Sequence, residues 1–110
     1  MRGDKAPGRY TTGPWPHEAQ PVPQAPPGVH YALALAREID LIAEQRGLSH
    51  RAISRLAGLN ETAVGTIVRG QVYPDLATIA RLEQALDGDL LPPGRPRTLL
   101  PRDTNDGAPQ

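Results

Sequence analysis

Cysteine is absent from the 110-residue sequence, which excludes a disulfide framework and any metal site built on thiolates. The three histidines, His17, His30 and His50, show no metal-ligand spacing. Long apolar runs are also missing. No stretch approaches the roughly 18–20 residues of a membrane-spanning helix, and the start of the chain lacks the apolar core of a secretory signal. We therefore expect a cytoplasmic protein with no metal site, cofactor or membrane contact.

An excess of charge of one sign is missing as well, since 12 basic residues balance 12 acidic ones. A nucleic-acid function therefore cannot be inferred from net charge and has to rest on local pattern. No constellation of catalytic residues is visible either. His50 and Glu61 are the nearest approach to an acid–base pair, but they fall on separate predicted helices with no nucleophile nearby. We therefore expect no enzymatic activity.

Proline is scarce only in the middle of the chain. Seven of the 13 prolines precede residue 28, five follow residue 91, and Pro74 alone lies between them. Segments rich in proline and glycine bury too little apolar surface to offset the entropy of ordering. We therefore predict disordered tails at residues 1–29 and 92–110, around one domain at residues 30–91. Trp15, between two prolines, is either an anchor for a partner or an incidental aromatic residue of the tail.

The domain shows apolar residues at the three- and four-residue spacing of amphipathic helices. Four helices are predicted, over residues 31–46, 49–57, 61–69 and 74–86. The residues expected to face the core are Leu35, Ile39, Ile42, Ile53, Leu56, Ala57, Val64, Ile67, Val68, Leu76, Ile79, Leu82 and Leu86. This pattern predicts a small all-α bundle.

Each predicted helix after the first has a start signal, and all four have a stop signal. Ser49 and Asn60 are favourable N-cap residues, and Pro74 suits a first helical turn. A glycine follows every helix, at positions 47, 58, 70 and 88. Helices commonly end on a residue with left-handed backbone, a conformation that glycine adopts at little cost.

Residues 46–70 have the pattern of a helix-turn-helix. Such a motif needs a small residue where its two helices touch, and Ser54 supplies one. It needs a residue that tolerates positive φ in the turn, and Gly58 supplies that. Its second helix needs apolar residues directed at the first, and Val64 and Ile67 supply those. The segment therefore predicts a helix at 61–69 with one face free to enter the major groove of DNA.

Several segments between residues 47 and 76 resemble the lambda-repressor-like, Xre/Cro-type transcriptional regulators. They are Gly-Leu-Ser at 47–49, Ala-Gly-Leu-Asn at 57–60, Thr-Ala-Val-Gly-Thr-Ile at 62–67 followed by Arg-Gly at 69–70, and Tyr-Pro-Asp-Leu at 73–76. The resemblance covers residues 31–91. It implies a bundle of four or five helices and a sequence-specific repressor of the bacterial nucleoid, which binds double-stranded DNA as a homodimer.

The sequence departs from this family at several places. Asp40 and Ala43 stand where an arginine is common, and Glu83 stands where a small residue is usual. The prolines at 92 and 93 forbid much of a fifth helix, the element that forms the dimer interface in many relatives. The route of dimerisation is therefore left open.

The outward face of the helix at 61–69 supplies the predicted DNA contacts. Glutamate can accept from cytosine N4, and threonine can hydrogen-bond a base or pack its methyl on thymine. The base contacts are assigned to Glu61, Thr62, Gly65 and Thr66, and the phosphate contacts to His50, Arg51, Asn60, Arg69 and Gln71. A glycine within a helix, as at Gly65, reflects either close approach to DNA or a tolerated exposed position. Residues 46–69 carry four arginines against one acid, Glu61, which favours phosphate binding.

Other functional interpretations stay open. The domain could be a protein-interaction module, such as an antitoxin or an adaptor, whose partner binds the tails and carries the activity. Residues 94–97, Gly-Arg-Pro-Arg, resemble the core of a minor-groove AT-hook, or they form part of a solvated linker. Leu33 and Leu41 fall outside the main stripe of the first helix. They serve either a dimer or partner contact or only the edge of the domain.

Overall fold

The computed structural model describes residues 3–91, which form four α-helices preceded by a short folded segment. The segment contains a single 3-10 turn at Pro7–Tyr10 and two antiparallel strands, β1 at Thr11–Thr12 and β2 at Gln20–Pro21. The helices are α1 at Pro27–Arg46, α2 at His50–Leu56, α3 at Ala63–Val68 and α4 at Leu76–Leu86. The predicted all-α bundle of four helices is confirmed. Within residues 3–91, no helix has both the length and the apolar character to span a membrane.

At the start of α4, Asp75 is the N-cap and Pro74 precedes the helix, which corrects the predicted start. The C-terminal ends of the helices follow the predicted glycine signals with one correction. Gly58 follows α2 with φ at +72°, and the next amide, Leu59 N–H, donates to the Ser54 carbonyl at 2.9 Å. This bond closes the end of α2 in a Schellman motif. After α4, however, Asp87 and not Gly88 takes the left-handed position, with φ at +57°. Aspartate is among the few residues other than glycine that adopt this conformation.

The core lies where the four helices meet, and most of the predicted core residues are in it. Its buried members are Leu35, Ile39, Ile42, Ala43, Ile53, Ala57, Val64, Ile67, Val68, Leu82, Leu86 and Leu90, with Ile79 partly buried against them. Two predicted core residues are wrong. Leu56 is 60% exposed and Leu76 is 84% exposed. The inward face of α2 is centred between Ile53, Ser54 and Ala57, so the helical rotation turns Leu56 outward.

Ser54 joins the two helices of the helix-turn-helix. It is the only polar residue within 3–91 counted among the buried ones, with no exposed surface. Its hydroxyl donates to the His50 carbonyl in α2 and accepts the Val64 N–H of α3, both at 3.0 Å. Amides in the first turn of a helix have no partner within that helix, so Ser54 satisfies a donor that would otherwise be buried and unpaired. The predicted contact between positions 54 and 64 is confirmed.

The N-terminal segment, residues 3–26, corrects the prediction of a disordered tail. Pro7, Pro16 and Ala19 are buried, and the Arg37 guanidinium of α1 donates to the carbonyls of Pro16 at 2.9 Å and Ala19 at 2.7 Å. Low hydrophobicity is only one effect of a high proline content. Proline also restricts the unfolded chain, so fixing such a segment costs less entropy than its composition suggests.

The contact between α1 and the N-terminal segment explains the role of Leu33, for which the sequence allowed two interpretations. Leu33 is 3% exposed and lies one helical turn from Arg37, on the side of α1 that contacts the N-terminal segment. α1 also starts earlier than predicted, at Pro27. Leu33 therefore belongs to the interior edge of the domain, whereas Leu41 is 41% exposed. The predicted C-terminal tail at 92–110, with the AT-hook-like residues 94–97, lies outside the described residues.

Asp40 links three parts of the fold. Its Oδ2 lies 2.7 Å from His17 Nε2 of the N-terminal segment, and its Oδ1 lies 2.9 Å from His50 Nε2 at the start of α2. Partial burial acts to raise the pKa of Asp40, but the hydrogen bonds from His50 and His17 outweigh it and hold the pKa below its usual value.

Replacing Ser54 with alanine should lower the free energy of unfolding by about 1–3 kcal/mol, because the Val64 N–H is left buried without an acceptor. Chemical denaturation of both proteins measures this. Ser49→Ala is the matched control, since it removes only the exposed cap that accepts from Ala52 N–H and should cost about 1 kcal/mol. A Ser54→Ala protein as stable as the parent would contradict the structural role of the hydroxyl.

Asp40→Asn should lower the free energy of unfolding by about 0.5–1 kcal/mol near neutral pH, because the cluster is partly exposed. The pKa of Asp40 in the folded protein lies below its ordinary 3.8, so the contribution is complete above that value and is lost as pH falls through the folded pKa. Denaturation at several pH values from about 7 to about 2 should show the two proteins converging in acid. A difference that does not change with pH would refute this.

Candidate nucleic-acid interface

α3 has one buried face and one outward face. Val64, Ile67 and Val68 are buried in the core, which fixes the rotation of the helix. On the other side, Glu61, Thr62 and Arg69 are exposed, Thr66 is half-buried and Gly65 is buried. The helix is shorter than predicted, because Glu61 and Thr62 form a turn that leads into it. The residues predicted for base contact nevertheless share one surface, which is not packed inside the protein.

Asn60 organises the start of α3. Its side-chain oxygen accepts the Thr62 N–H at 2.9 Å and the Thr62 hydroxyl at 2.8 Å, and its backbone carbonyl accepts the Ala63 N–H at 2.9 Å. Thr62, and not the predicted Asn60, is the N-cap of α3, and only the backbone carbonyl of Asn60 accepts an amide of the helix itself. The Asn60 side-chain oxygen instead orders the turn before the helix, and the side-chain amide nitrogen is the part of this residue left to meet a phosphate.

Glu61 is held by two arginines of α2. Its Oε2 accepts from Arg55 Nε at 3.0 Å and Nη2 at 2.8 Å, and its Oε1 lies 3.6 Å from Arg51 Nε. The side chains are 50–63% exposed. Exposed pairs of this kind contribute less than about 1 kcal/mol, so Glu61 can exchange a partner at small cost. This cluster could not be predicted from sequence, because the pairs span the turn between two helices.

Gly65 lies beneath the side chain of Arg69. A β-carbon at position 65 would lie 3.0 Å from Arg69 Nη1 and 3.6 Å from Arg69 Cζ. Glycine is therefore neither open to solvent nor required by its backbone conformation, which corrects the interpretation as an exposed position. Its small size lets the guanidinium lie flat along the outward face of α3.

Thr66 and His50 are partly engaged within the protein. The Thr66 hydroxyl donates to the Ala63 carbonyl at 2.8 Å, so it can meet a base only as an acceptor or through its methyl. His50 directs Nε2 at Asp40, so this nitrogen is not free for the phosphate contact predicted for it. Arg51 and Gln71 are exposed at the two ends of the surface, as a phosphate contact requires.

The surface offers hydrogen-bonding groups and positive charge. Among residues 3–91, no group of three or more histidine, aspartate or glutamate side chains is arranged to hold a metal ion. The polar groups of α3 stand on a helix anchored in the core, beside arginines of α2. Such a surface suits recognition of an extended polyanion.

Comparison with solved structures gives matches over part of the chain. A hypothetical transcription factor, NHTF, from Neisseria is 28% identical, with a TM-score of 0.53 over 57% of this chain and 77% of its own. An HTH_3 family transcriptional regulator from Vibrio cholerae is 27% identical, with a TM-score of 0.53 over 57% of this chain and 35% of its own. No family model and no curated protein matches the sequence.

Three features of the structure agree with a helix-turn-helix fold. The four helices follow the expected order, the turn at Gly58 has the required left-handed backbone, and the buried contact of Ser54 with Val64 fixes the angle of α3. Both similar structures are described as transcription factors or regulators. The domain therefore has the lambda-repressor-like helix-turn-helix fold and is similar in structure to these transcriptional regulators.

Proposed function

We propose that the protein is a sequence-specific transcriptional repressor that reads the major groove of DNA with the outward face of α3. The observation that carries this proposal is the split character of α3: Val64, Ile67 and Val68 are locked in the core, while Glu61, Thr62 and Arg69 are exposed on the opposite side. A groove about 12 Å wide admits one helix in this orientation. The regulators of similar structure support the same function.

Base recognition is assigned to the start and middle of α3. Glu61 would accept from cytosine N4. When it turns to the base, its salt bridges to Arg55 and Arg51 would break, and both arginines could then bind phosphates. Thr62 and Thr66 would contact base edges or a thymine methyl. The bonds of Asn60 to Thr62 hold the first of these residues in place before DNA arrives.

Phosphate contacts would flank the helix on both sides. Arg51 and the Asn60 amide lie before it on α2 and the turn, and Arg69 and Gln71 lie at its end, whereas His50 is engaged with Asp40. Contacts to phosphates position the helix and supply affinity that depends on salt, whereas base contacts decide the sequence. Gly65 would assist phosphate contacts and base contacts alike. Its small size lets Arg69 lie close to the helix and lets the duplex approach α3.

Two copies would bind a pseudo-palindrome with half-sites about 34 Å apart, one turn of B-DNA. A bound dimer at a promoter would exclude polymerase, which is the simplest route to repression. The protein would then act in the cytoplasm at the bacterial nucleoid.

A second candidate function is a protein-interaction module of the antitoxin or adaptor kind. It is favoured by an apolar cavity of about 330 Å³, which is lined by Tyr31, Leu35, Tyr73, Ile79 and Leu91 among others. Purification of the untagged protein from its host separates the two functions. A stoichiometric protein partner without any DNA footprint would support the module and count against the repressor.

Thr66→Ala and Glu61→Ala should change which sequence is preferred, because both residues are assigned to base edges. Arg69→Ala should instead weaken binding to all sequences and reduce the slope of log affinity against log salt by about 0.9. Selection from random duplex DNA followed by a salt titration measures both effects. Gln84→Ala, on the exposed side of α4, is the control and should change neither. The absence of any enriched sequence for the parent protein would overturn the proposed function.

Gly65→Ala should raise the free energy of unfolding by up to about 1 kcal/mol, because alanine favours helix over glycine and only the movable Arg69 guanidinium has to shift. The same change should weaken DNA binding, since the methyl displaces Arg69 and occupies the face that meets the duplex. Thermal unfolding and DNA titration of one variant test both. Higher stability with unchanged affinity would show that position 65 has no part in DNA binding.

A further inference from the structure

The N-terminal segment packs on the end of α3, the element proposed to enter DNA. Gly8 N–H donates to the Gly70 carbonyl at 2.8 Å. The Trp15 ring covers Gly70 so closely that a β-carbon there would lie 2.6 Å from two ring atoms. Only glycine fits at position 70, since it also has a left-handed backbone with φ at +73°.

Two further bonds fix the part of the segment that carries its basic residues. The Tyr73 hydroxyl donates to the Lys5 carbonyl at 2.7 Å, and the Lys5 N–H donates to the Tyr10 hydroxyl at 3.1 Å. Trp15 Nε1 donates to the Thr11 hydroxyl at 2.7 Å, which attaches the ring to β1. The backbone from Lys5 to Trp15 is thus attached to residues 70–73, immediately beyond α3.

Arg9 lies next to the end of the proposed reading face. A β-carbon at Gly8 would be 3.9 Å from the Arg69 carbonyl. Standard bond lengths then place the α-carbons of Arg9 and Arg69 no more than about 12 Å apart. Both side chains are exposed, and two arginine side chains from such positions can reach one stretch of phosphate backbone.

The charge of Arg9 is available, unlike that of the α2 arginines. Within residues 3–91, salt bridges to Glu61 engage Arg51 and Arg55, and none engages Arg9 or Lys5. Asp4 is the one acid among residues 3–16, so this part of the segment has a small positive balance. Cationic side chains without a salt bridge can bind phosphate without first breaking an ion pair.

We propose that the N-terminal segment is a second DNA-binding element, in which Arg9, supported by Lys5, contacts phosphates beyond the end of α3. This proposal rests on the proposed function, because it needs α3 in the groove to place Arg9 beside the backbone. Because Arg9 lies beyond the end of α3 and away from the residues assigned to base edges, it should add affinity for every sequence and leave the preferred sequence unchanged.

Arg9→Gln and Arg9→Lys in the full chain test the proposal, with the duplex obtained by selection and a random duplex as probes. Arg9→Gln should reduce the slope of log affinity against log salt by about 0.9 on both duplexes, and Arg9→Lys should keep the parent slope. Asp4→Asn should strengthen binding, because it removes a like charge from the same surface. Thermal unfolding should be the same for the parent and the two Arg9 variants, since Arg9 is exposed and unpaired within the described residues.

The outcomes separate the two proposals. If Arg69→Ala lowers the slope while Arg9→Gln leaves it unchanged, the N-terminal segment does not contact DNA and the proposed function stands. If the parent protein binds no duplex, both proposals fall. A changed sequence preference in Arg9→Gln would also overturn this inference, since it would place Arg9 at the bases.

Discussion

One buried hydroxyl determines how the two helices of the motif meet. Ser54 has no exposed surface, and its oxygen takes part in a bond to each helix, donating in α2 and accepting from α3. An apolar residue of the same size would leave the Val64 amide without a partner, and a larger one would push the helices apart. The angle of α3 against α2, the outward direction of Glu61, Thr62 and Arg69, and therefore the whole candidate interface follow from this bond.

The helices could be predicted from the sequence because their signals are local. Spacing of apolar residues, N-caps such as Ser49 and glycines such as Gly58 act within one or two turns of chain. Leu56 and Leu76 were misplaced because the exact rotation of a short helix depends on its neighbours, and the spacing alone permits both orientations. The folded N-terminal segment was missed for a related reason, since its stability comes from contacts with Arg37 and Gly70, far along the chain.

In the candidate site, too, local features could be predicted from the sequence and contacts between separate helices could not. Which residues of α3 face outward could be predicted, because Val64 and Ile67 had to face inward. The partners of those residues could not. Glu61 with Arg55, and His50 with Asp40, are ion pairs across turns, and their formation depends on the distance between separate helices. A sequence-based count of local charge therefore overstates the free positive charge of this surface.

The position of Trp15 has a spectroscopic consequence. It is the only tryptophan of the chain, and its ring rests on Gly70 at the junction of the N-terminal segment and α3. Fluorescence excited at wavelengths longer than tyrosine absorbs comes from Trp15 alone and therefore reports on this one junction. Any event that lifts the segment from α3 would expose the indole to water and shift its emission to longer wavelength, so the protein carries its own label where two proposed DNA-binding elements meet.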